Sequence, residues 1–248
     1  MSKSINIFGF HSIESILINN PELIIRVLIQ NGRKDKRIID LINNLDSQKI
    51  SYLFTDRTNL DNISKGEIHQ GVISEIILPP ILNEDSFFNS IATYDQKLMI
   101  LMLDSVQDPR NLGACLRSAN AAGVTHVVVN KDGSAPINSL VHRTSAGALN
   151  SLQIFHVTNL SRTIKQIKKR DIWVVGLDGG TRSSLYDVNL KGSIAIVVGS
   201  EGKGIRPLIK KTCDQVVSIP MHGNVESLNV SVATAVTLFE IKRQRERS

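Results

Sequence analysis

Short apolar runs typical of β-strands alternate with helical segments through the first third of the chain. The strand-like runs are INIFGF, LIIRVLIQ, SYLFT and GVISEIIL, and the segment DKRIIDLINNLDSQ lies between two of them. In that segment Ile38, Ile39, Leu41, Ile42 and Leu45 mark one apolar face, and Lys and Asp residues mark the other, which predicts an amphipathic helix. We therefore predict that residues 1–78 form a small α/β sandwich of ordinary domain size.

From Lys97 onward the pattern becomes more regular and more apolar. Helical segments separate most of the six runs LMILML, HVVVN, LQIFHV, IWVVGL, IAIVVG and VVSIP. Strands that are apolar on both faces are typical of a buried parallel sheet. Residues 97–248 are therefore predicted to be an open α/β domain with a mostly parallel sheet. The intervening residues 79–96 contain a proline pair and no clear period, which predicts a linker or a short connecting helix.

Turns rich in glycine and in carboxamide or carboxylate side chains follow four of these strands. The turns are DSVQDPRNLGACL, DGGTRSS, SEGKGIRPL and MHGNVESLNVS, and the last of them opens a C-terminal helix. One side chain is enough to cap a helix, whereas this last turn offers several. Because ligands of open α/β sheets bind at the carboxyl ends of strands, these turns predict a site for a small ligand with a polar head and an apolar or aromatic body.

Several common enzyme signatures are absent from the sequence. Gly199, Gly202 and Gly204 form GxxGxG after the fifth strand of the second domain, which is neither the order nor the position of dinucleotide-binding glycines. The sequence contains no GxxxxGK[ST], GxSxG or HExxH. Cys115 and Cys213 stand far apart without a CxxC or a Cys/His cluster, so neither a metal site nor a disulfide is expected.

The charge of the chain is unevenly distributed. Residues 1–78 hold nine basic and nine acidic residues, whereas residues 97–248 hold twenty basic and eleven acidic residues. Such a surplus is compatible with a polyanionic partner such as RNA or DNA, and a solvated basic surface is the alternative. No apolar run approaches the roughly 20 residues of a membrane-spanning helix, and MSKSINIFGFHS lacks the apolar core of a secretory signal. A cytoplasmic protein without membrane contact is therefore expected.

Three motifs of the second domain resemble those of the SpoU-type RNA 2′-O-ribose methyltransferases, which belong to the SPOUT superfamily. Asn111-x-Gly113 with Arg117 is similar to the first motif, IVVGSEGKGI at 196–205 to the second, and IPMHGNVESLNVSVATAV at 219–236 to the third. FGFHSIESIL and HQGVISEI, in the first domain, resemble the family's L30e-like RNA-binding domain. The resemblance therefore covers nearly the whole chain.

This resemblance implies an α/β fold in which an L30e-like sandwich precedes a domain threaded into a deep trefoil knot. The knot loops of the family hold S-adenosyl-L-methionine, and no metal is required. The resemblance also implies a homodimer packed through the knotted domains, in which Arg and Asn side chains of one subunit lie near the cofactor of the other. Contacts to the cofactor are expected from Leu177, Gly179, Gly199, Ile219, Met221 and Leu228.

The family members that the chain most resembles methylate the ribose of a guanosine in 23S rRNA, which implies the same reaction here. Arg117 is expected to hold the phosphate beside the target ribose, because a guanidinium is too firmly protonated to be a ready base. Asn111 is expected to orient Arg117 or the ribose, and Glu201 to hold the ribose or order the arginine. Ser227 and Asn229 are expected where cofactor and RNA meet. Helix capping is the alternative role of Asn111, Ser227 and Asn229.

Two other functions remain open at this point. One is a tRNA 2′-O-methyltransferase of the same family, and the other is a non-catalytic protein of rRNA binding or ribosome assembly that uses the L30e-like module. The joint presence of the five expected catalytic residues favours an enzyme, because a binding protein has no need to keep them together. For the rRNA methyltransferase that the resemblance implies, the expected RNA partner is 23S rRNA or an intermediate in the assembly of the large subunit.

Overall fold

The computed structural model describes residues 4–246, which divide into two compact units. The first unit comprises residues 4–80 together with Asn138–Asn150, and the second comprises residues 81–137 and 151–246. The elements before residue 80 are β1 (Ser4–Phe8), α1 (Phe10–Asn19), β2 (Ile24–Gln30), α2 (Lys36–Ser47), β3 (Tyr52–Thr55), α3 (Arg57–Ser64) and β4 (Val72–Ile77). The later elements are α4 (Glu84–Ala92), β5 (Met99–Asp104), α5 (Pro109–Ala122), β6 (His126–Asn130), α6 (Ser139–Thr144), α7 (Ala148–Ser151), β7 (Gln153–Val157), α8 (Leu160–Lys168), β8 (Trp173–Leu177), β9 (Ile194–Gly199), α9 (Pro207–Thr212), β10 (Gln215–Val217) and α10 (Val230–Glu246).

The first unit is built on a four-stranded sheet with the order β1-β4-β2-β3. Strand β4 is antiparallel to β1 and β2, whereas β2 and β3 are parallel. Ile13 of α1, Leu41 of α2 and Ile76 of β4 belong to one buried cluster. Most of the apolar face predicted for α2 therefore packs on the sheet, whereas Ile39, also assigned to that face, is 49% exposed.

Helix α6 and most of α7 belong to the first unit, although they lie within the stretch that the sequence assigns to the second domain. Arg143 of α6 forms an ion pair with Glu67. Gly147 has φ +86°, and a Cβ added to it would lie 2.6 Å from Ser15 Oγ. The backbone conformation favours glycine here, and a Cβ would also require the Ser15 hydroxyl to move.

The second unit contains a six-stranded sheet with the order β10-β8-β9-β5-β6-β7, in which every named pair is parallel. Strands β5, β6 and β9 are buried along their whole length, as their apolar sequences predict. Helix α4 lies in the interval 79–96, and its Phe87 and Ile91 belong to the core of this unit together with Phe155. Helix α10 packs against α5.

Residues 4–246 contain neither a membrane-spanning helix nor a cluster of metal ligands. None of the helices in this range is long and apolar enough to cross a membrane. The same residues contain no group of three or more His, Cys, Asp or Glu side chains that could hold a metal ion.

Candidate active site

A cavity of about 610 Å³ lies at the carboxyl ends of β8, β9 and β10. These strands are parallel, so the turns that follow them meet at one edge of the sheet. The volume is within the range of about 300–1,000 Å³ that is typical of small-molecule sites. The cavity is lined by all six residues expected to contact a cofactor, which are Leu177, Gly179, Gly199, Ile219, Met221 and Leu228.

Gly199 shapes one wall of this cavity because the strand end packs directly on the backbone of the following turn. A Cβ added to Gly199 would lie 2.0 Å from the carbonyl carbon of Gly204 and 2.2 Å from Ile205 N. The turn is closed by Gly204 N, which donates to the carbonyl oxygen of Ser200 at 2.9 Å. Any side chain at Gly199 would therefore displace the turn.

An ion pair between Asp178 and Lys210 lies among the residues that line the cavity. Lys210 Nζ is 2.6 Å from Asp178 Oδ2, and the Asp178 side chain is 12% exposed. Asp178 N also donates to the carbonyl oxygen of Val217 at 2.9 Å, which ties the end of β8 to β10. Nothing in the sequence indicates this pair, although Asp178 opens the turn DGGTRSS directly after the apolar run IWVVGL.

Three of the five expected catalytic residues form one hydrogen-bonded chain. Asn111 Nδ2 donates to Glu201 Oε1 at 2.5 Å, and Asn229 Nδ2 donates to Asn111 Oδ1 at 3.1 Å. These residues come from α5, from the turn after β9 and from the start of α10. Glu201 also lines the cavity, so the network lies at the edge of the candidate cofactor site.

Asn229 also caps helix α10. Its Oδ1 accepts hydrogen bonds from Ser231 N at 2.9 Å and from Ser231 Oγ at 2.7 Å. The side-chain oxygen of Asn229 therefore caps helix α10, while its side-chain nitrogen donates a hydrogen bond to Asn111. Ser227 is exposed and lines the cavity.

Arg117 lies apart from this network. It is an exposed residue of α5, it does not line the cavity, and within residues 4–246 it has no hydrogen bond or ion pair. Arg117 follows Asn111 by six positions in the same α-helix, which puts the two side chains about 120° apart around the helix axis. Asn111 therefore orients Glu201 within this chain and makes no bond to Arg117.

Two cysteines of the second unit and one histidine of the first unit are engaged inside the protein. Burial raises the pKa of the Cys115 thiol and of the Cys213 thiol to about 11, so neither is a ready nucleophile at neutral pH. Cys115 Sγ lies 3.6 Å from Thr234 Oγ1, between α5 and α10. In the first unit, His69 Nε2 lies 2.8 Å from Asp61 Oδ1, and Gly71 N donates to His69 Nδ1 at 3.0 Å. Both nitrogens of this histidine are thus engaged inside the protein.

Comparison with known families supports both units. Residues 98–239 match the family model of the SpoU rRNA methylase family. Residues 6–80 match the model for RNA 2′-O ribose methyltransferase substrate binding. A relative from Haemophilus influenzae, the 23S rRNA (guanosine-2′-O-)-methyltransferase RlmB, is 46% identical over 96% of this chain and 97% of its own length.

Solved structures show the same architecture. The crystal structure of an RNA 2′-O ribose methyltransferase is 28% identical, has a TM-score of 0.79, and aligns over 99% of this chain and 90% of its own. The SpoU methyltransferase AviRb from Streptomyces viridochromogenes, crystallised with its cofactor AdoMet, is 21% identical with a TM-score of 0.79. That alignment covers 99% of this chain and 92% of the other, and at this identity it shows a shared fold.

Proposed function

Because this chain belongs to the SpoU family of RNA methylases, we propose that it transfers a methyl group from S-adenosyl-L-methionine to the ribose 2′-oxygen of a guanosine in 23S rRNA. The fold class predicted from the sequence, an L30e-like sandwich followed by an α/β-knot domain with a mostly parallel sheet, is confirmed by the structural neighbours. The observation that carries the proposed chemistry is the Asn111–Glu201–Asn229 network at the edge of the cavity. The 46% identity to the Haemophilus influenzae enzyme supports 23S rRNA as the substrate.

The cavity is suited to S-adenosyl-L-methionine in size and in the chemistry of its wall. Leu177, Ile219, Met221 and Leu228 offer apolar surface for an adenine ring. Gly179 and the turn after β9 bring bare backbone amides and carbonyls to the ligand. When bound, this cofactor would supply a methyl group on a sulfonium, and the neutral thioether that departs on methyl transfer is a good leaving group.

The chain's own residues have to position a weak nucleophile. A ribose hydroxyl needs in-line placement and an acceptor for its proton or hydrogen bond as the oxygen attacks. Glu201 Oε1 is held by Asn111, while Glu201 Oε2 has no hydrogen bond among the described residues. This second carboxylate oxygen accepts the hydrogen bond of the 2′-hydroxyl in our proposal. Ser227 lines the cavity from the turn before α10, where the RNA and the cofactor would meet.

The working unit in this proposal is a homodimer formed through the second unit. Val232 and Phe239 of α10 are each 47% exposed and lie seven residues apart, so they share one helix face. A second copy of the chain would cover this apolar face. Arg117, which has no partner among residues 4–246, would then reach the site of the neighbouring subunit and hold the phosphate beside the target ribose.

The proposed enzyme acts in the cytoplasm, either on 23S rRNA or on a precursor of the large ribosomal subunit. Purified protein should be incubated with S-adenosyl-L-methionine and with either protein-free 23S rRNA, isolated large-subunit precursors or bulk tRNA. Nuclease digestion and mass spectrometry then identify the product nucleoside. We expect 2′-O-methylguanosine in rRNA or in the precursor. Methylation of tRNA alone would favour the tRNA alternative, and rRNA binding without methyl transfer would favour a non-catalytic protein.

A further inference from the structure

A buried carboxylate holds an arginine at the same edge of the sheet as the candidate active site. Asp104 ends the central strand β5, and its side chain is 0% exposed. Arg206 Nε and Nη2 lie 2.7 Å and 2.6 Å from Asp104 Oδ1. Arg206 N also donates to Asp104 Oδ2 at 3.0 Å. Asp104 therefore fixes both the side chain and the main chain of Arg206.

The arginine of this pair is only partly hidden. Its side chain is 53% exposed, whereas a structural ion pair inside a core would bury both groups. Nε and Nη2 face Asp104, and Nη1 has no hydrogen bond among the described residues. Because a guanidinium is planar and carries five N–H donors, its Nη1–Nη2 edge keeps donors for an external anion.

The surroundings of Arg206 are basic. Residues 203–211, KGIRPLIKK, contain four basic residues and no acidic residue. Lys210 is committed to Asp178, but Lys203 is exposed and forms no ion pair within residues 4–246. Arg206 follows the turn that carries Glu201, and the chain after Asp104 leads to Asn111. A polyanion entering the candidate active site would therefore pass this segment.

From these observations we propose that Arg206 contacts a backbone phosphate of the substrate RNA and that Asp104 is its positioning residue. The proposal rests on the proposed function, because it names a contact for the same substrate. An arginine that is already held in place loses less conformational freedom on binding than a free surface arginine. Two parallel N–H donors suit a phosphate better than the single ammonium of a lysine does.

Three full-length variants separate an RNA contact from a structural brace. Arg206→Met removes the proposed contact but leaves Asp104 buried without its partner, which destabilises the fold. The double variant Asp104→Asn/Arg206→Met removes both charges and should recover much of that stability. Arg162→Met is the matched control, because Arg162 lies in the same unit, is 55% exposed and pairs with Glu84 at 2.7 Å.

Each variant is measured for melting temperature, for S-adenosyl-L-methionine affinity, for methylation kinetics and for affinity to protein-free 23S rRNA over a salt series. We expect Arg206→Met and the double variant to weaken RNA affinity and raise the KM for RNA at least fivefold. The slope of log affinity against log salt should become shallower by about 0.7, the value for one single-strand phosphate contact. Cofactor affinity should stay within twofold, and Arg162→Met should behave like the wild type.

Recovery of RNA affinity together with melting temperature in the double variant would overturn the proposal, because Arg206 would then be only a brace. An unchanged salt slope in Arg206→Met would also overturn it, as would absence of RNA binding by the wild type. The affinity of the protein for RNA over the salt series is measured without methyl transfer, so it tests the Arg206 contact separately from the proposed function. Wild-type protein that binds rRNA with an Arg206-dependent salt slope but methylates nothing would refute the proposed function and leave this contact standing.

Discussion

Replacing Gly199 by alanine is expected to deform the cofactor cavity without changing any candidate catalytic side chain. The new Cβ would lie 2.0 Å from the carbonyl carbon and 2.1 Å from the carbonyl oxygen of Gly204, whereas ordinary contacts begin at 3.4 Å. Both atoms are backbone atoms of the turn that carries Glu201, so no flexible side chain can move aside. The turn must therefore retreat by more than about 1 Å, and a misplacement of about 1 Å can cost a site roughly 100-fold.

Calorimetric titration with S-adenosyl-L-methionine measures this effect directly. We expect the dissociation constant of Gly199→Ala to rise at least 100-fold, which corresponds to about 2.7 kcal/mol. Overpacking should also lower the free energy of unfolding by about 1–3 kcal/mol. Gly192→Ala is the matched control, since nothing lies within 4 Å of a Cβ at that position. Cofactor affinity within threefold of wild type in a Gly199→Ala protein of unchanged stability would refute this account of the cavity wall.

Three further predictions concern other parts of the chain. Arg117→Ala should lower the rate of single-turnover methyl transfer by orders of magnitude at unchanged cofactor affinity. Arg117→Lys should restore little of that rate, because an ammonium lacks the planar pair of donors. A near-normal rate in the alanine variant would remove Arg117 from the mechanism. In the proposed homodimer, Phe239→Lys should shift sedimentation from dimer to monomer, since a charge would replace an exposed apolar side chain on α10. An unchanged dimer would place the interface elsewhere, and a monomeric wild type would contradict the proposed homodimer. Burial lowers the pKa of His126 from 6.5 to about 4. Below pH 6.5 the unfolded chain therefore binds more protons than the folded protein does, and the free energy of unfolding should fall as the pH is lowered from 6.5 to about 4. Denaturation of the wild type and of His126→Asn across this range checks the sign. Equal slopes of unfolding free energy against pH in the two proteins would contradict the prediction.

The parallel sheet and the cavity lining could be predicted because both depend on local sequence. The run IAIVVG is apolar on both faces, and strand β9 is buried along its whole length. Leu177 and Met221 were named from motif resemblance and do line one cavity, while their contact with the cofactor stays a prediction. Residues that directly follow parallel strands meet at one edge of the sheet because of its topology. Their nearness can therefore be predicted without knowing how the side chains pack.

Long-range pairs of ordinary residues could not be predicted in the same way. Asp104 and Arg206 are 102 positions apart, and although each lies in a polar turn that follows a strand, neither turn indicates that the two residues pair. Helix α6 belongs to the first unit, where the nearby Gly147 closely approaches Ser15, and residues so far apart in sequence meet only once the chain has folded. The expected role of Asn111 is to orient Arg117 or the ribose. Within this chain Asn111 donates to Glu201 and makes no bond to Arg117, because the helical repeat turns the two side chains away from each other. Its contact with the ribose stays a prediction.

The central claim, 2′-O-methylation of a guanosine in 23S rRNA, is tested most directly by mapping ribose methylation in cells. Total rRNA and tRNA from a strain with the intact gene, a strain lacking it and the deletion strain supplied with a Glu201→Gln copy should be digested and analysed by mass spectrometry. We predict that one 2′-O-methylguanosine of 23S rRNA disappears on deletion and does not return to its full level with the Glu201→Gln copy. Identical rRNA maps in all three strains, or a change confined to tRNA, would contradict the claim.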